Sequence, residues 1–169
     1  NLVHLDAGVS AARRDRIRQV VERLDADILA LQGIADRRAL AELLPPETWQ
    51  LVIDDAHAGE SNVALAVRQP LEVQSEPGTA NFLFADDDDH FPARSDILVV
   101  RVKIPTASKP LVVMVYDALS RAAGRTATDS GRLAAALRLV EKLHQRPDDE
   151  QLVLLGSFGD NPDDRSLNI

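Results

Sequence analysis

Apolar positions follow two rhythms along this chain, and the switches between them outline its elements. After Ser10, which has N-cap chemistry, apolar residues recur at Ile17, Val20, Val21 and Leu24 with charges between them, the spacing of one helix face. Ala26-Asp27 then turns the chain into Ile28-Leu29-Ala30-Leu31, a continuous apolar run of the kind found in buried strands. A short helix is predicted from Arg37 to Leu44, ended by Pro45-Pro46. Trp49–Ile53, Val63–Val67 and Leu71–Val73 read as short strands between turn residues. Ile97–Ile104 and Leu111–Tyr116 form a strand pair around a proline-bounded turn. A second amphipathic helix is expected over Thr128–His144, with Leu133, Leu137, Val140 and Leu143 on one face. Leu152–Leu155 reads as a last buried strand, followed by a loop from Gly156 to Asp164, and Asn1–Leu5 as a short first strand.

The order strand, helix, strand, then several strands, then helix and strand is mixed α/β. No internal repeat or linker interrupts it, so residues 1–169 are expected to form a single layered domain.

Composition narrows the chemistry. The sequence has no cysteine, which excludes disulfides, thiolate nucleophiles and Cys-based metal sites. No apolar run approaches the ~18 residues needed for a membrane span. The formal net charge of −8 disfavours nucleic acid as a partner unless a local basic patch overrides it. Arginine dominates the basic residues, with lysine only at 103, 109 and 142, which reads as a coding bias rather than a phosphate-binding device. Aromatics are only 4%, so aliphatic residues must fill the core.

Three segments carry more specific information. They are Ala26-Asp27-Ile28-Leu29-Ala30-Leu31-Gln32-Gly33-Ile34, Val113-Met114-Val115-Tyr116-Asp117-Ala118-Leu119-Ser120-Arg121 with Gly124-Arg125 and Arg132 after it, and Leu154-Leu155-Gly156-Ser157-Phe158-Gly159-Asp160-Asn161-Pro162. In order and spacing they resemble the three signature segments of the endonuclease/exonuclease/phosphatase superfamily. Asn1 in the first strand and Phe91-Pro92-Ala93-Arg94 before a later one add to the likeness. The resemblance implies a sandwich of two mixed β-sheets flanked by helices, here lacking the family's closing strands.

It also implies a site, and the departures there are informative. Family members use Mg²⁺, a glutamate ligand, an Asp/Asn pair in the last loop and histidines to drive water at a phosphate. A hard divalent cation needs carboxylate oxygens, and an acid or base must orient the nucleophile. Here the glutamate position is Gly33, the loop Asp is Ser157 and the loop Asn is Gly159. The segment histidine falls at Asp117, with Tyr116 and Leu119 in the neighbouring Asn and Lys positions, and the family's late Asp-His pair has no counterpart. Asn1 and Asp160 are the polar positions that survive. One general acid or base is typically worth about 10²–10⁴ in rate, so hydrolysis is expected to be lost, Mg²⁺ to be bound weakly or not at all, and a binding or scaffolding role to remain.

Several residues admit a sharper and a plainer reading. Gly33 is either drift at an unused site or a place where backbone approaches closely. Ser157 is a passive loop hydroxyl or a recruited nucleophile, without the spacing of a nucleophile elbow. Asp117 and Asp160 could together hold a weak cation in a remodelled hydrolase, or are simply solvated or helix-capping acids. Asp86–Asp89 lacks the spacing of a Ca²⁺ loop and reads as solvated. His4, His57, His90 and His144 are too scattered to form a ligand set. Arg121, Arg125 and Arg132 form a residual phosphate patch or ordinary helix-face ion pairs. An uncovered sheet edge would invite pairing with a second copy or a partner strand.

Overall fold

The structure is a computed structural model that describes Leu5, residues 8–53, 62–74, 81–82, 97–118, Arg121, residues 124–159 and Leu167. Asn1, Asp86–Asp89, Asp160, Leu119 and the Phe91–Arg94 segment lie outside the described residues, as do His4, His57 and His90.

The elements follow in the order α1 (Ala11–Leu24), β1 (Ile28–Ile34), α2 (Arg37–Leu43), β2 (Trp49–Ile53), β3 (Asn62–Arg68), β4 (Glu72–Val73), β5 (Asn81–Phe82), β6 (Ile97–Lys103), β7 (Leu111–Asp117), α3 (Arg125–His144) and β8 (Gln151–Ser157). They build two sheets. The first has the order β1-β3-β2, antiparallel throughout, with Leu5 added by a parallel bridge to Ile34. The second runs β4-β6-β7-β8, with β5 also on β6; its β7–β8 pair is parallel and the rest antiparallel. The fold is thus the expected two-sheet α/β sandwich.

Strand alternation divides the core into three layers. Val63, Leu65 and Val67 of β3 meet Leu98, Val100 and Val102 of β6 and Val113 and Val115 of β7 between the sheets. Burying each of these aliphatic side chains contributes about 1.5–3 kcal/mol. Leu29, Ile34, Ala64 and Ala66 point the other way, toward Leu40 and Leu43 of α2. On the far side of the second sheet, Ile97, Val112, Met114 and Tyr116 pack with Ala135 and Leu139 of α3.

Ser10 caps α1 as expected, its side chain accepting from the Arg13 N–H, and Asp36 caps α2 by accepting from the Arg38 N–H. Three expectations need correction. On α1, Ile17 and Val21 touch the core, but Val20 and Leu24 are exposed. The helix lies against the domain along a narrower stripe than its apolar spacing allows. On α3, the buried face is Thr128, Arg132, Ala135 and Leu139, while Leu137 is exposed. Ala135 and Leu139 pack against Ile97, Val112, Met114 and Tyr116 of the second sheet, and Leu137 lies off that face. Finally, β8 is last in the sheet order among the described residues and is not fully buried: Leu152–Leu154 are half-buried and Leu155 and Gly156 are exposed.

Candidate functional site

Two backbone features shape the ends of the strands that carry the motif residues. In β1, Gln32 pairs with Val63 and Ile34 with Asn62, so Gly33 is an extra residue in the ladder. This β-bulge reverses the alternation: Ile28 and Ala30 face the other sheet, whereas Ile34 packs with Leu29 on the helix side. Gly33 takes φ 79°, a conformation glycine reaches without penalty. Its carbonyl accepts the Leu5 N–H at 2.9 Å, and the Leu5 carbonyl accepts from Ala35 at 3.0 Å.

The second feature is at Gly156, opposite Tyr116 in the parallel β7–β8 pair. A methyl group there would overlap the Tyr116 backbone carbonyl, so only glycine permits this approach. One residue further on, Asp117 and Ser157 are register partners at the C-terminal ends of the two strands, and the Ala118 N–H donates to the Ser157 carbonyl at 2.8 Å.

Ser157 hydrogen-bonds the Asp117 carboxylate through its side chain. Burial pushes the Asp117 carboxyl above the usual carboxylate range, and the Ser157 hydrogen bond only partly offsets this. Behind the pair, Tyr116 is buried and meets Phe158 edge to face, with ring centroids 5.6 Å apart.

Arg132 is inside the protein, its side chain 2% exposed, held by the Thr128 hydroxyl and by Asp129 at 3.3 Å. Arg121 lies in the turn before α3, where its carbonyl accepts the Gly124 N–H at 2.9 Å. Arg125 opens α3, and its side chain lies outside the described residues. For Arg132 this geometry is that of an inward-facing helix ion pair. Sequence reasoning passed over Gln32 and Asn62, which flank the bulge and are 6% and 3% exposed. The available signal was an amide in an otherwise apolar strand.

The described donors do not suit Mg²⁺. Gly33 has no side-chain oxygen, Ser157 is neutral, and Asp117 is a half-buried carboxyl whose pKa burial raises. Among the described residues, no three His, Asp or Glu side chains converge.

The family model described as "Endonuclease/Exonuclease/phosphatase family" matches residues 7–169. The chain belongs to the endonuclease/exonuclease/phosphatase family. Its structure is similar to truncated Caenorhabditis elegans TDP2, with a TM-score of 0.71 at 14% identity, covering 97% of this chain and 61% of that one. It is similar to the human Nocturnin catalytic domain, with a TM-score of 0.70 at 15% identity, covering 96% of this chain and 62% of that one. A Bacteroides thetaiotaomicron endonuclease/exonuclease/phosphatase family protein matches with a TM-score of 0.69 at 16% identity, covering 99% of this chain and 64% of that one. This chain therefore spans less than two thirds of each of these relatives. No curated protein matches its sequence. The Gly33 bulge lies near the end of β1, and Asp117 and Ser157 are the last residues of β7 and β8. No helix among the described residues is long and apolar enough to cross a membrane.

Proposed function

We propose that this chain is a non-hydrolytic member of its family, a binding or scaffolding domain that keeps the sandwich and has given up phosphoester cleavage. The observation that carries this reading is Gly33. At the position where the family resemblance implies a glutamate metal ligand, the residue has no donor atom, and its backbone sits in a bulge at φ 79° that disfavours any side chain. The Asp117–Ser157 pair supports it. Burial disfavours the charged form of the Asp117 carboxyl, and its hydrogen bond to Ser157 already engages the group a hard cation would need. The net charge of −8 makes nucleic acid a disfavoured partner.

The test is cleavage of a generic phosphodiester such as bis(p-nitrophenyl) phosphate with Mg²⁺ or Mn²⁺ present. The expected rate matches the buffer control. Turnover that is proportional to protein and abolished by EDTA would overturn the proposal.

A further inference from the structure

We propose that Gln32, Asp117 and Ser157 form a binding site between the two sheets for an uncharged amide-type group, the edge of a lactam or an imide. The inference rests on the reading of this chain as a non-hydrolytic binding domain and names the chemistry its site would take. Gln32 is the observation that points to a ligand. It is 6% exposed, and among the described residues no hydrogen-bond partner meets its side-chain amide. A buried amide left unpaired is costly, and an apolar side chain, such as those of Ile28 and Ala30 on the same strand, would avoid that cost.

The three side chains share one face. Val63 lies in the core between the sheets, and its register partner Gln32 projects to the same side. Val113 and Val115 of β7 and Val153 of β8 belong to that core too, so strand alternation puts Asp117 and Ser157 on it as well. They also share one end of the sandwich. Leu71, whose N–H donates to the Arg68 carbonyl just past β3, joins this core together with Val73, which pairs with Val102. The Ile28–Val67 end of the first sheet therefore lies over the Val102–Leu111 end of the second, and the Gln32–Val63 end lies over the end that carries Asp117 and Ser157. Between Cα atoms, β1 comes within 8 Å of both β7 and β8. Gln32 is buried while Asp117 and Ser157 are half-buried, so the amide forms the floor of the site and the other two its rim.

The donor set selects the ligand. A primary amide presents an N–H donor beside a carbonyl acceptor, and it pairs through two hydrogen bonds with a group that offers the same two atoms in reverse, as a lactam or imide edge does. The Asp117 carboxyl and the Ser157 hydroxyl add further hydrogen-bonding capacity at the rim. An anion would sit against the Asp117 carboxyl. A hard cation would need several acidic oxygens, and no three His, Asp or Glu side chains converge among the described residues. Burial already disfavours the charged form of Asp117, which suits a neutral guest.

NMR of the Gln32 side-chain N–H signals, identified by their loss in Gln32→Met, tests this directly. Succinimide and butyrolactam at millimolar concentration are expected to shift those signals saturably. Their N-methylated forms, which lack the donor, and inorganic phosphate are expected to leave them in place. Gln32→Met replaces the amide by an apolar chain of similar volume. It is expected to keep the circular dichroism spectrum and to weaken binding by about tenfold or more, followed at the Gly33 backbone N–H. Ser157→Ala, at a half-buried position, is expected to weaken it by about threefold. No saturable shift in wild type, equal shifts from the N-methylated probes, a response to phosphate, or unchanged affinity in Gln32→Met would overturn the proposal. Each of these outcomes leaves the non-hydrolytic reading standing while phosphodiester cleavage stays at the buffer rate, and EDTA-sensitive cleavage would end that reading separately.

Discussion

Asp117 and Ser157 meet at the C-terminal ends of two parallel strands, where the serine side chain hydrogen-bonds a carboxyl that burial has pushed upward. The folded state therefore holds the Asp117 proton more tightly than the unfolded chain does. Stability from this group falls as pH rises from the unfolded carboxylate value of ~3.9 through the raised folded value. Asp117→Asn should flatten that part of the stability–pH profile, measured as urea midpoints across the acidic range. Ser157→Ala should raise the Asp117 titration midpoint further, read by NMR of the carboxyl carbon. A downward shift would contradict the assigned causes.

Placing glutamate at position 33 tests whether a carboxylate there is tolerated and supports cleavage. The bulge places residue 33 at φ 79°, where an L-side chain costs about 1–2 kcal/mol. Gly33→Glu is expected to lower the urea midpoint by that amount and to leave phosphodiester cleavage at background. Gly33→Asn, which tolerates this conformation better, should cost less.

At Gly156 the constraint is contact rather than conformation alone. Gly156→Ala would drive a methyl group into the Tyr116 carbonyl and part β8 from β7. We expect a loss of about 3 kcal/mol or more, visible as a large drop in thermal midpoint.

Arg132 and Asp129 form a pair with unequal surroundings, the arginine buried and the carboxylate half exposed. Asp129→Asn leaves a buried guanidinium with a weaker partner and is expected to cost about 1–3 kcal/mol, more than an exposed substitution on α3 such as Ser130→Ala. Equal, near-zero effects in chemical denaturation would show that Thr128 and the other contacts of Arg132 suffice.

The candidate site residues were named from the chain alone because side-chain chemistry is local. The proposal that Gly33, Asp117, Ser157 and Gly159 stand at the family's site positions comes from three short motifs and needs no folding information. What was not legible was pairing. That Asp117 faces Ser157, or that Gly33 is a bulge and not a plain strand residue, depends on register between segments distant in sequence.

The sequence by itself determined the succession of helices and strands apart from β5, the Ser10 cap and the family, since each follows from neighbouring residues or from side-chain identity. Only the tertiary structure decided which apolar residues are buried. Leu137 and Leu155 have the same hydrophobicity as Leu139 and Leu65, yet the first two are exposed and the others are not. Burial belongs to an element's place in the sheet order and its rotation against a neighbour, and those are set by packing between distant segments rather than by the local pattern.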